Sequence, residues 1–89
     1  MTTYIITYDL NNETKRPPIV EDIKSYGNWA MLSESSYAIS TGQNPKQIYD
    51  FLSNHLDNND NLYVIKLTNP HFGQGPKEVN DWLVANLSN

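Results

Sequence analysis

Residues 3–9, TYIITYD, place Tyr4, Ile6 and Tyr8 on one face and Ile5, Thr7 and Asp9 on the other. Both faces are largely apolar, which is the pattern of a strand covered on two sides. The polar stretch LNNETKRPP reads as a loop. Pro18 then fits the first turn of a helix, where a missing N–H costs nothing. Glu21 and Asp22 favour that positive end. Ile19, Ile23 and Tyr26 recur on one helical face, and Gly27 is a natural stop.

NWAMLSESSYAIST, residues 28–41, predicts two short strands, about Trp29–Leu32 and about Ser36–Thr41, with the reversal at Ser33, Glu34 and Ser35. Asn44 as N-cap and Pro45 at the first helical position open a second helix. Its stripe is Ile48, Phe51, Leu52, His55 and Leu56, at the spacings of one helical face. DNNDN ends it, and LYVIKL, residues 62–67, has strong strand propensity. After a loop, TNPHFGQGP, a tail helix over residues 77–87 carries Val79, Trp82, Leu83 and Leu87 on one face.

The resulting order is β-α-β-β-α-β plus a short C-terminal helix: an α+β, ferredoxin-like antiparallel sheet with two helices on one face. The first and third strands are central in such a sheet. The second sheet face would expose Tyr and Trp unless the tail or a partner covers it.

Composition narrows this further. The chain has 89 residues, one domain spanning 1–89, and no cysteine, so neither a disulfide nor a thiolate metal site can brace its thin core. Stability must come from packing, helped by self-association. No segment has the roughly 20 apolar residues of a membrane span, and no basic-then-apolar leader opens the chain, so a cytoplasmic location away from membranes is expected. The net charge is −4 with a pI of about 4.8. That lowers the expectation of a nucleic-acid binder, which normally carries a basic footprint.

YIITYDL, IKSYGNWAMLSESSYAIST, LDNNDNLYVIKL and NDWLVANL together resemble a family of small bacterial and phage proteins labelled SinR-like. That family is distantly similar to the small ferredoxin-fold subunit of CRISPR adaptation complexes and to the virulence-associated D-type ribonucleases. The resemblance implies a homodimer with the first strands close to the two-fold axis. It also implies that Asp9 matches the first-strand aspartate assigned as metal ligand in members reported as nucleases. Other members of the wider group act as scaffolds.

Asp9 is therefore the sharpest candidate, read as a catalytic residue holding Mg²⁺. The cation would polarise a phosphodiester and activate water. The competing reading is a carboxylate that accepts backbone hydrogen bonds in the turn after the strand. Lys15 and Arg16, the only adjacent basic pair, are candidate phosphate or partner contacts. Tyr4 and Tyr8 on the first strand, Tyr37 on the third and Tyr63 on the fourth are candidates to stack unpaired RNA bases, with Tyr8 and Tyr37 foremost, against the alternative that they fill a core or an interface.

LDNNDN lacks the glycine and terminal glutamate of a calcium loop, so Asp57 and Asp60 are expected to cap backbone N–H groups. Ser33, Ser35 and Ser36 read as turn residues. His55 and His71 have no partner by spacing. GQGP lacks the lysine of a phosphate loop.

Three functions compete on this reading. The first is a non-catalytic homodimeric interaction or regulatory module with a protein partner. The second is an Mg²⁺-dependent endoribonuclease built on Asp9. The third is single-stranded RNA binding through the sheet tyrosines.

Overall fold

The structure, a computed structural model, describes all 89 residues. In chain order the elements are β1 (Thr2–Asp9), α1 (Arg16–Lys24), β2 (Trp29–Ser33), β3 (Ser36–Thr41), α2 (Pro45–Leu52), β4 (Asn61–Leu67) and α3 (Lys77–Asn86). One four-stranded antiparallel sheet has the order β2-β3-β1-β4. Each β-α-β unit leaves room for one inserted strand, and β1 and β3 take the interior places. This is the ferredoxin-like βαββαβ arrangement.

Alternation along β1 sends Tyr4, Ile6 and Tyr8 toward the helices, where all three are buried. The register sets Ile6 between Tyr37 of β3 and Val64 of β4. Ile19 and Ile23 from α1 and Ile48 and Leu52 from α2 close over this row, all without exposed surface. The tyrosines keep their polar tips satisfied. Tyr4 Oη donates to the Gln43 carbonyl at 3.0 Å, and Tyr8 Oη to the Glu34 carbonyl at 2.9 Å. No buried side-chain nitrogen or oxygen lacks a partner.

Helix boundaries follow local chemistry. α1 starts two residues before the expected Pro18, because both Pro17 and Pro18 fit its first turn. A single 3₁₀ turn, Glu13–Lys15, leads into it from the loop and is capped by Asn12. Gly27 ends the segment at φ 86°, the only positive φ in the chain. At α2, Asn44 and Gln47 form a reciprocal capping box. That helix stops at Leu52 and tightens into a 3₁₀ turn, Ser53–His55, so the expected stripe is cut short. Phe51 lies outside the core, half-exposed, with its ring edge-on to Tyr26 at 6.0 Å.

α3 packs on the opposite sheet face, against β2. Its Val79, Trp82, Leu83 and Leu87 are half-buried, and no residue of the helix is fully buried. Polar contacts fix it there. Thr3 Oγ1 donates to the Asn86 carbonyl at 2.7 Å, Asn28 Nδ2 to Asn86 Oδ1 at 2.8 Å, and Trp82 Nε1 to Asn28 Oδ1 at 2.8 Å. The tail thus shields β3, where residues 37–41 are all buried, and the start of β1. It leaves β4 and the end of β1 bare. No helix is long and apolar enough to cross a membrane.

Candidate functional site

Asp9 ends β1 on the face away from α1 and α2, paired in register with Asn61. Its side chain is exposed and makes no hydrogen bond, so the turn-capping role open to it in the sequence is not one it plays. No group of three or more His, Asp or Glu side chains is placed to hold one metal ion. Within a single chain Asp9 offers a lone carboxylate. Mg²⁺ accepts one or two carboxylates with several waters and substrate phosphates, so Asp9 could hold it only as one ligand among waters and phosphate unless another copy adds a carboxylate.

Lys15 is engaged elsewhere. Its Nζ lies 2.5 Å from Asp57 Oδ2, 2.6 Å from Asp60 Oδ2 and 3.1 Å from Asn11 Oδ1. Asp60 is fully covered and also accepts the backbone N–H groups of Asn11 and Asp57. The Lys15 ammonium and these two N–H groups hold the Asp60 carboxyl down at about 2. Lys15 likewise lowers Asp57, helped by the Asn59 N–H, and the two carboxylates raise Lys15 in return. The 57–60 turn caps backbone as its composition implied, and it also neutralises the cation nearest to Asp9 in the chain.

Arg16 is similarly occupied. Nε and Nη2 bind the Glu13 carboxylate at 2.7 and 3.1 Å, and Nη1 donates to the Glu34 carbonyl. The guanidinium carbon sits 5.6 Å from the Tyr8 ring centre. Arg16 pulls Glu13 below the usual carboxylate range, and Glu13 raises Arg16. Burial pushes the Tyr8 phenol up, against the lowering effect of Arg16. Arg16, Tyr8 and Glu34 therefore tie the start of α1 to the β2–β3 turn.

Tyr8 and Tyr37 are both buried on the helix side of the sheet. Neither presents a ring to solvent. Tyr63 is the sheet tyrosine on the bare face, at 62% exposure. Ser33 and Ser36 share a hydrogen bond of 2.6 Å, and Ser33 Oγ accepts from the Ser35 N–H, as turn residues do. His71 is exposed and bonds Asn69. His55 Nε2 meets Asp22 Oδ2 at 2.6 Å and bridges the end of α2 to α1. That contact was not legible from spacing, because 33 residues separate the pair.

The most extended feature is apolar. Ile65 is 53% exposed beside Tyr63 on β4, and Phe72 and Val84 project from the 68–76 loop and from α3. Between sheet, loop and α3 runs an open groove of about 640 Å³ with Ile5, Leu32, Leu67, Val79 and Leu83 among its lining residues. An exposed apolar patch of this kind marks a protein, membrane or ligand interaction surface. The chain matches no protein-family model and no curated protein.

Proposed function

We propose that this chain is a cytoplasmic, non-catalytic homodimeric interaction or regulatory module of the SinR-like, CRISPR-adaptation-subunit-like group. One observation carries the reading. Five of the nine large exposed apolar side chains, Leu32, Tyr63, Ile65, Phe72 and Val84, lie on the face half-covered by α3, whereas the cations closest to Asp9 in sequence are already neutralised. An acidic chain whose lysine and arginine nearest to Asp9 in sequence are bound to its own carboxylates has no free pair of cations there to grip a phosphate backbone. The burial of Tyr8 and Tyr37 takes two of the candidate stacking rings out of reach of an RNA base and leaves Tyr63 as the exposed sheet tyrosine, which weighs against single-stranded RNA binding.

The second reading is an Mg²⁺-dependent endoribonuclease. It is supported by Asp9, whose carboxylate is exposed and unengaged at a strand end. A further carboxylate would come from the Asp9 of a second copy. The test is incubation of the purified protein with single-stranded and duplex RNA in Mg²⁺ or Mn²⁺, beside Asp9→Ala, together with a solution mass. A dimer that leaves RNA intact supports the module. Cleavage that disappears in Asp9→Ala overturns it in favour of the ribonuclease.

A further inference from the structure

The groove and the most exposed side chain of the protein belong to one surface. Phe72 is entirely exposed at the rim of the groove, on an irregular segment between β4 and α3. An apolar ring fully in water forgoes the gain of burial, so the fold leaves a considerable driving force unused at this position. The adjacent groove is lined without a single Asp, Glu, Lys or Arg. Knob and hole lie side by side on the same molecule.

We infer that this surface is a two-fold contact between copies of the chain, in which Phe72 of each enters the groove of the other. The inference rests on the homodimeric reading above and specifies its interface. A two-fold interface uses the same patch on both partners, so that patch must be self-complementary. A projecting ring next to an apolar groove satisfies that requirement; a ring without a groove would not.

Charge argues for the same occupant. Each copy carries a net charge of −4, so two copies repel on most approaches. No Asp or Glu lines the groove, so the groove itself adds no carboxylate to a contact between two copies. A strongly charged partner gains nothing from an uncharged groove, whereas a second copy must use one. Area is adequate as well. Leu32, Tyr63, Ile65, Phe72 and Val84 together expose roughly 600 Å² of side chain, against about 800 Å² per partner in a standard interface. The polar rim would supply the difference.

The experiment is sedimentation equilibrium over a dilution series, with the wild type, Phe72→Ser, and Leu32→Glu. Both positions are exposed, so circular dichroism spectra should be unchanged and a mass change is not an unfolding artefact. The wild type should approach twice the 10.2 kDa chain mass. Each variant should raise the dimer dissociation constant by about 30-fold or more, the effect of losing a central aromatic anchor.

Mixing the two variants provides the specific readout. Phe72→Ser keeps an intact groove and Leu32→Glu keeps an intact ring, so the mixed pair regains one of the two insertions. It should form more tightly than either variant with itself. A wild-type dimer indifferent to both substitutions, or no preference for the mixed pair, overturns this interface and leaves the homodimeric reading standing. A wild type that stays monomeric overturns both.

Discussion

Lys15 Nζ lies 2.6 Å from Asp60 Oδ2, joining two loops that are 45 residues apart. The covered carboxylate closes one end of the sheet, because its other oxygen holds the Asn11 N–H just beyond β1. The contact has a definite acid signature. Asp60 titrates at about 2 when folded, below its unfolded value near 4. Its stabilisation is therefore complete above about pH 4 and disappears as the pH falls through 2. Asp57 and Glu13, also lowered, act in the same direction. Thermal melts should show the melting temperature falling through this window. Asp60→Asn should start lower at pH 6 and fall less. An unchanged acid slope in that variant would show that the pair does not set it.

Tyr8 and Tyr26 give the alkaline counterpart. Burial raises both phenols above the ordinary 10. The unfolded chain releases these protons first, so stability declines as the pH rises through 10 and above. Ultraviolet titration should find part of the phenolate signal delayed in native protein and brought back toward 10 in urea. Tyr8→Phe should remove part of the delayed fraction.

Ile6 and Asp9 belong to the same strand and should behave in opposite ways. Ile6 has no exposed surface and sits in the central row, so Ile6→Ala should cost about 2–5 kcal/mol in urea unfolding. Asp9→Ala removes an exposed side chain with no hydrogen bond and should leave the urea midpoint where it is. That makes it a clean probe of the nuclease reading. A large loss of stability in Asp9→Ala would reveal a structural role absent from the fold described above.

Gly27 is the backbone position with the least freedom to change. At φ 86° a side chain is strained even though nothing lies within 4 Å of an added Cβ. Gly27→Ala should cost about 1–2 kcal/mol, measured as a lower urea midpoint with an unchanged slope.

Several of these features could be read directly from the residues. Alternation located the four strands. The two-sided apolar pattern of TYIITYD matched the interior place of β1, and Asn44–Pro45 marked the start of α2. These signals are local, a few residues reporting their own geometry. The pairing of Lys15 with Asp57 and Asp60 is not local; nothing in KRPP or DNNDN points across 42 or 45 residues. Phe51 belonged to the expected α2 stripe, but within the helix Ile48 and Leu52 enter the core while Phe51 sits at its edge against Tyr26; the chain tightens only after Leu52, which ends the stripe before His55 and Leu56. The apolar face of α3 was evident in its spacing. Which surface it covers depended on side chains far away in sequence, Thr3 and Asn28.

The interior position of β1 also bears on how the protein is made. Its two neighbours, β3 and β4, lie about thirty and sixty residues downstream. At ribosomal speeds of about 5–20 residues per second, the opening strand waits seconds for its first neighbour and longer for its second. During that wait TYIITYD is an unpaired, tyrosine- and isoleucine-rich ribbon. Newly synthesised chains are thus most vulnerable to mispairing before β4 emerges, and a chaperone that shields the nascent N-terminus would protect the segment on which the finished sheet depends.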